Sequence, residues 1–116
     1  MDYIRRGDVF YCNINPKGLL GEHVQKGLRP VVIVSNNINN RCCPTVNVVS
    51  ISTKNHHLPQ QAEIHSAMVD PSYAKCETIT TVDKSWLLEY KTHLSKADMR
   101  MIDRAMAMQL GMDMER

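Results

Sequence analysis

Two short polar segments of this chain, each next to an apolar β-branched run, have the residue types needed to bind a phosphate group. Arg29-Pro30 stands directly before the apolar run 31–35, and Ser52-Thr53 ends the next apolar run. A guanidinium stays protonated at neutral pH and presents a planar fork of donors, while a hydroxyl can donate to a phosphate oxygen. If both runs are strands, the arginine and the hydroxyls lie at strand ends, where we expect a phosphate site.

The distribution of β-branched residues predicts five strands separated by turn-forming residues. The two strongest strand signals flank the Asn-rich segment 36–41, which is predicted to be a turn. Three glycines and mixed charge mark residues 17–28 as a loop long enough to have a function of its own. The predicted strands cover residues 7–14, 31–35, 46–52, 62–65 and 76–82.

The spacing of the apolar residues changes after Asp83. Residues 84–90 are predicted to form one or two helical turns, and Ser95 is a candidate N-cap for a longer helix that ends near Gly111. The apolar stripe of this helix recurs at three and four residues and consists of Met99, Ile102, Ala105, Met106 and Leu110. Met101 and Met108 lie off the stripe, where either core packing or contact with a partner would suit them.

Five strands followed by one amphipathic helix predict a mainly β, α+β fold. We expect a small antiparallel barrel or a strongly curved sheet with the helix packed against it. At 116 residues the chain is expected to form a single domain, residues 1–116, around a single core.

Composition excludes several classes of protein. The hydrophobic fraction of 43% and charged fraction of 22% are ordinary for a globular protein, and no apolar run reaches the roughly 18 residues of a membrane span. No segment of signal-peptide character follows Met1, so a cytoplasmic location without membrane association is expected. The net charge of +2 permits a nucleic-acid partner without arguing for one.

The cysteines and histidines do not have the spacing of a metal site. None of the four cysteines forms a Cys-x-x-Cys pair, so free thiols in a reducing compartment are expected. His56-His57 and His65 lack a cysteine or carboxylate at ligand spacing. We therefore expect no metal and no cofactor.

Five short motifs follow one another in order between residues 5 and 110. They are Arg6-Gly7-Asp8-Val9, the segment 27–36, Asn40-Arg41 with Pro44-Thr45-Val46, Thr81-Val82-Asp83-Lys84, and His93-Leu94-Ser95. Together they resemble the MazF/PemK/Kid family of bacterial toxins. The resemblance implies an SH3-like barrel of the CcdB/PemK type that forms a homodimer. It also implies the toxin of a type II toxin-antitoxin system, which cuts single-stranded RNA such as mRNA at short preferred sequences without metal. A cognate antitoxin would bind through a disordered segment.

The resemblance assigns catalysis to Arg29 and to a hydroxyl at the end of the 46–52 strand. The family usually has threonine there, whereas this chain has Ser52 followed by Thr53. Ser52 is the preferred catalytic residue because it keeps the family's spacing from Pro44-Thr45, and because consecutive strand residues point to opposite faces. Thr53 stays an alternative and a candidate for binding the substrate.

Four further residues are candidates for contacting RNA. Glu22 and His23 precede Arg29 in the loop and titrate in a range useful for a general base, although a plain exposed loop would explain them equally and no base is assigned. Glu77 and Thr78 stand where the family often places an acidic residue and a glutamine that contact RNA. Threonine departs from that pattern, so a half-buried structural strand is an equal explanation and no base preference is transferred.

RNA carries its own nucleophile, the 2′-hydroxyl, so an enzyme needs only to align it with the 5′-oxygen and stabilise the developing charge. The expected products are a 2′,3′-cyclic phosphate and a 5′-hydroxyl, and DNA is not expected to be cut. Two alternatives remain open at this point. One is a non-catalytic CcdB-like toxin that binds and poisons DNA gyrase, and the other is a degenerate member that keeps the fold without the activity.

Overall fold

The computed structural model describes residues 3–14 and 27–112. Six strands form one antiparallel sheet in the order β4-β5-β3-β2-β1-β6, accompanied by a short helix α1 and a longer helix α2. The strands are β1 (Asp8–Ile14), β2 (Gly27–Ile33), β3 (Thr45–Ser52), β4 (Gln61–Ile64), β5 (Ser72–Asp83) and β6 (Leu87–His93). The helices are α1 (Asn37–Cys42) and α2 (Lys96–Gln109).

The predicted mainly β fold with a C-terminal helix is confirmed, but the sheet is open. Closing a barrel needs hydrogen bonds between its first and last strands. Within the described ranges β4 and β6 are the two edges and do not pair with each other. The four-residue β4 instead packs against α2, which covers that end of the sheet.

The predicted helical turns at residues 84–90 are wrong, because most of this segment is strand β6. A single 3-10 turn, Lys84–Trp86, is all that remains of the helix, and Asp83 caps it by accepting the N–H of Ser85. The segment that follows has good helix formers but pairs with β1 instead. The ring of Tyr90 packs edge-on against Phe10, with centroids 5.6 Å apart. Pairing across the sheet therefore overrides the local helix preference.

The Asn-rich segment also differs from its prediction, because it forms helix α1 rather than a plain turn. Asn36 caps this helix by accepting the N–H of Asn39 at 2.8 Å. Asn40 is buried, and its amide donates to the carbonyl of Ser35 at 2.9 Å. The side chains that favour turns thus supply the cap and the internal bonds of a one-and-a-half-turn helix.

Burial on both faces of the sheet replaces the expected single core with two clusters. The cluster on the α2 side includes Val32, Val49 and Ile102, and the cluster on the opposite face includes Val31 and Val48. Within each of the strands β2 and β3, consecutive residues therefore belong to different clusters, because side chains along a strand point alternately to the two faces.

Helix α2 is confirmed, with Ser95 as its cap. The hydroxyl of Ser95 accepts the N–H of Asp98 at 3.1 Å. Of the predicted stripe, Ile102 and Ala105 are buried, Met99 and Met106 pack partly buried against the α2-side cluster, and Leu110 is exposed at the C-cap. Met101 and Met108 are exposed, as their positions off the stripe indicate. No helix in the described ranges is long and apolar enough to cross a membrane.

Two of the motifs meet at the start of β1. The carboxylate of Asp8 is buried, and its Oδ1 lies 2.7 Å from Nδ1 of His93. Gly7 has φ of +99°, and a Cβ at this position would lie 3.0 Å from the His93 ring. Because any side chain would be strained here and crowd the ring, glycine is the residue that lets β1 and β6 close together.

A buried carboxylate joins α2 to the end of β4. Asp98 accepts the N–H of His65 at 2.9 Å, the N–H of Ser66 at 2.7 Å and the hydroxyl of Ser66. Burial by itself would raise the pKa of Asp98, but the hydrogen bonds from Ser66 and His65 favour the charged form and leave the pKa below its usual value. The ionised carboxylate therefore stabilises the fold.

Replacing this carboxylate is expected to lower the stability of the fold and to make that stability less dependent on pH. Asp98→Asn should lower the free energy of unfolding at neutral pH by roughly 1–3 kcal/mol, because a neutral amide replaces a carboxylate that accepts three hydrogen bonds. The pKa of a free aspartate is about 3.9. Stability from a lowered folded-state pKa is complete above that value and is lost as the pH falls through the folded-state pKa.

Chemical denaturation between about pH 6 and about pH 3 should therefore show a shallower acid-side loss in Asp98→Asn than in the wild type. Glu89→Gln is the control, because that carboxylate is exposed and paired only with Lys91 at 3.5 Å. Equal acid slopes in the wild type and Asp98→Asn would contradict this role.

Candidate functional site

Arg29 lies inside β2 rather than before it, as its third residue. Val31 and Ile33, two and four residues further along the strand, are buried in the cluster opposite α2. By alternation Arg29 belongs to the same face, at the end where the strand becomes exposed. Within residues 3–14 and 27–112 its guanidinium makes no hydrogen bond or ion pair. The structure therefore presents an exposed, unneutralised cation at the end of a buried strand.

The strand register puts Arg29 and Ser52 on the same face of the sheet. The β2–β3 ladder ends with Val31 opposite Ser50, and carrying this register two residues further places Arg29 level with Ser52. Neighbouring strands lie about 4.8 Å apart, and residues at one level share a face. The two residues proposed for catalysis thus share the face opposite α2, at the ends of neighbouring strands just beyond the last β2–β3 pair.

The hydroxyl of Ser52 is held by the chain that follows it. Its Oγ accepts the N–H of Lys54 at 3.0 Å, which leaves the hydroxyl proton for another acceptor. Ser52 is half-buried, whereas Thr53 is exposed and lies just beyond the end of β3. Of the two hydroxyls, Ser52 is the one whose place in the strand puts it on the face of Arg29.

A bulge in β5 determines where Glu77 points. A step of two residues along β3, from Val49 to Ile51, corresponds to a step of five along β5, from Ile79 to Ala74. Alternation is broken within this bulge, because Ala74 and Ile79 both belong to the α2 side although one is even and the other odd. Glu77 lies inside the bulge.

The carboxylate of Glu77 is fixed by a neighbouring amide. Its Oε2 accepts from Nε2 of Gln61 at 2.9 Å, and Oε1 of the same amide accepts the N–H of His56 at 3.1 Å. Since Ala62 is buried on the α2 side, Gln61 points to the opposite face, and Glu77 lies there with it. Oε1 of Glu77 is buried without a hydrogen-bond partner in the described structure. Thr78 is exposed beside it.

The structure therefore brings Arg29, Ser52 and Glu77 to one face, with Thr53 and Thr78 next to two of them. Glu22 and His23, the other proposed site residues, lie outside the described residues. Sequence reasoning missed Gln61, whose only signal is its position at the start of a short strand that alternates with Ala62.

The described histidines that could be metal ligands lie at the surface. His56 and His57 are exposed, and His65 lies between Asp70, at 2.6 Å, and Glu63, at 3.3 Å. The hydrogen bond from the His65 ring to the carboxylate of Asp70 raises the pKa of His65. In the described part of the chain no group of three His, Cys, Asp or Glu residues is placed to hold a metal ion.

All four cysteines are free thiols, as the sequence predicts. Burial raises the pKa of Cys12 to about 11 and that of Cys76 to about 12. Cys42 is exposed and Cys43 half-buried at the end of α1. Cys12 pairs with Arg29 across β1 and β2, so the residue beside the guanidinium is an uncharged thiol that leaves its positive charge available.

Solved structures with the same architecture are bacterial ribonucleases and toxins. An endoribonuclease from Mycobacterial species is 26% identical, with a TM-score of 0.80 over 99% of this chain and 98% of that one. An endoribonuclease in complex with its cognate antitoxin, also from Mycobacterial species, is 27% identical, with a TM-score of 0.77 over 99% and 100%. MazF from Deinococcus radiodurans shares the fold at 17% identity, with a TM-score of 0.80 over 96% and 100%.

These likenesses define a toxin-like α+β fold of the MazF class. The model of the family described as PemK-like, MazF-like toxin of type II toxin-antitoxin system matches residues 5–110. The chain belongs to this family and is the toxin of a type II toxin-antitoxin system. The resemblance inferred from the motifs is thereby confirmed.

Proposed function

We propose that this toxin is a metal-independent endoribonuclease that cleaves single-stranded RNA, including mRNA, at preferred sequences. The observation that carries the proposal is that Arg29, which no described residue neutralises, and the donor hydroxyl of Ser52 lie on one face at the ends of neighbouring strands. Both groups donate hydrogen bonds, so together they suit a phosphate whose negative charge grows during reaction.

The proposed reaction uses the RNA's own 2′-hydroxyl as nucleophile. A bond forms between the 2′-oxygen and phosphorus while the bond from phosphorus to the 5′-oxygen breaks. The 2′-hydroxyl loses its proton to a base that remains unassigned, and the 5′-oxygen gains one. Arg29 stabilises the non-bridging oxygens and Ser52 donates to one of them, leaving a 2′,3′-cyclic phosphate and a 5′-hydroxyl.

Glu77 and Thr78 are proposed to contact the RNA beside this centre. A carboxylate only accepts hydrogen bonds, and RNA phosphates likewise only accept, so Glu77 must meet a donor such as a base amino group or a 2′-hydroxyl. Glu22, His23 and Thr53 are proposed to bind further parts of the substrate, on the family resemblance alone.

The toxin is further proposed to act as a homodimer in the cytoplasm. One similar mycobacterial endoribonuclease was solved with its cognate antitoxin, which supports a corresponding antitoxin for this chain. We propose that this antitoxin binds through a disordered segment. No observation in the structure favours the alternative of gyrase poisoning.

Removing the guanidinium is expected to abolish most of the activity. Arg29→Ala should cleave single-stranded RNA roughly 100- to 1,000-fold more slowly than the wild type in excess EDTA, since one donor to the developing charge is lost. Cleavage rates on a mixed RNA pool measure this, and Arg100→Ala, an exposed arginine on α2, is the control. Equal rates for Arg29→Ala and the wild type, or gyrase trapping with intact RNA, would overturn the proposal.

The nucleophile can be tested in the substrate. A single 2′-deoxy substitution at the scissile nucleotide should stop cleavage while binding persists, because the attacking oxygen is missing and the phosphate contacts remain. Fluorescence anisotropy would report binding and gel analysis would report cleavage. Continued cleavage at the modified position would rule out attack by the 2′-hydroxyl.

The two neighbouring hydroxyls should differ in effect. Ser52→Ala is expected to reduce kcat roughly 100-fold, whereas Thr53→Ala leaves it within a few-fold, since only Ser52 shares the face of Arg29. Ser52→Thr keeps a hydroxyl and should retain most activity. Single-turnover rates under saturating RNA would separate these variants, and the opposite ranking would assign the role to Thr53.

A further inference from the structure

Tyr73 lies beside Ser52, one of the two proposed catalytic residues, on the adjacent strand β5. It pairs with Ser52 across β3 and β5, and with Glu63 across β5 and β4. Ala74 is fully buried in the α2-side cluster, so Tyr73 points the other way, to the face of Ser52. Directly opposed side chains have Cβ atoms about 5 Å apart. An aromatic side chain therefore stands immediately beside the hydroxyl.

Tyr73 differs from the chain's other tyrosines in having no partner. Tyr3 packs under Arg41, Tyr11 under Lys91, and Tyr90 against Phe10. In the portion of the chain that the structure describes, no ring or cation contacts the Tyr73 ring and its hydroxyl makes no hydrogen bond. The side chain is half-buried, so its position is constrained while part of it remains accessible.

We propose that Tyr73 is the stacking platform for a nucleobase next to the scissile phosphate. This inference rests on the proposed function. Arg29, Ser52 and Tyr73 lie on the same face of the neighbouring strands β2, β3 and β5, and such strands are about 4.8 Å apart. A phosphate bound by Arg29 and Ser52 would therefore have a flanking base within reach of the ring. Aromatic rings are the common platforms for unpaired bases of single-stranded RNA.

Stacking has a consequence for selectivity. Every base has a π-face, so a platform strengthens binding without identifying the base. Tyr73 should therefore govern affinity and the placing of the substrate, while the choice of sequence depends on groups such as Glu77 that meet base edges. Loss of the ring is expected to weaken RNA binding about tenfold or more without changing the sequences cut.

The test compares Tyr73→Leu with Tyr73→Phe, which keeps the ring. Tyr3→Leu is the matched control, because Tyr3 is exposed and packs with Arg41. The probe is a single-stranded RNA made uncleavable by a 2′-deoxy scissile nucleotide, with 2-aminopurine placed on either side of it. In the wild type, Tyr73→Phe and Tyr3→Leu, binding should quench 2-aminopurine fluorescence at one of these two positions. Tyr73→Leu should lose both this quenching and the affinity for the RNA. Circular dichroism checks that each variant is folded.

A double-mutant cycle makes the outcome specific. Replacing the quenched base by an abasic site should weaken binding to the wild type but have little further effect in Tyr73→Leu, because the two changes remove one interaction. Three results would overturn the role of Tyr73 as a platform. They are fully additive losses of binding free energy, unchanged RNA affinity in Tyr73→Leu, and a loss of affinity in Tyr73→Phe equal to that in Tyr73→Leu. Failure of the wild type to cleave any RNA would instead overturn the proposed function, and the binding and quenching measurements would still decide the role of Tyr73.

Discussion

Burial of the central strands on both faces is the constraint on which the rest of the structure depends. Val31, Val32 and Ile33 are each fully buried although their side chains alternate between faces, and Val48 and Val49 repeat the pattern in the next strand. A shift of one residue would exchange the two sets of side chains and disturb both clusters at once. The hydrophobic effect therefore fixes the register of β2 against β3, and that register sets the level of the residues beyond the last pair.

The site at the end of this strand pair is preorganised by its surroundings rather than by contacts between its own members. Arg29 pairs with the neutral thiol of Cys12, and among residues 3–14 and 27–112 no carboxylate forms an ion pair with its guanidinium. The acidic member, Glu77, is held by Gln61. Opposite charges thus share one face without forming an ion pair in the described structure.

Features set by local chemistry could be predicted from the sequence, and features set by distant pairing could not. The cap at Ser95 and the apolar stripe through Ile102 and Ala105 depend only on nearby residues, and both agree with the structure. Strand β6 was missed because its sequence favours helix and only pairing with β1 makes it a strand.

The same distinction applies to the site. Arg29 and Ser52 stand beside strongly β-branched runs, so their elements were predictable, although β2 begins earlier than predicted and includes Arg29. Tyr73 was not identified, because the start of β5 has few β-branched residues and is defined by its pairing with β3 and β4. The position of Gln61 beside Glu77 likewise depends on a bulge that no local pattern indicates.

The bulge in β5 has a consequence for how such a toxin can diversify. Regular pairing with β3 resumes on both sides of it, so the exposed Thr78 can change type without moving the flanking pairs, whereas Cys76 stays fully buried in the α2-side cluster. The exposed position beside Glu77 is thereby free of the packing demands that constrain β2 and β3. Sequence drift at Thr78 therefore costs little in folding, so the chemistry of this surface can change while the scaffold stays the same.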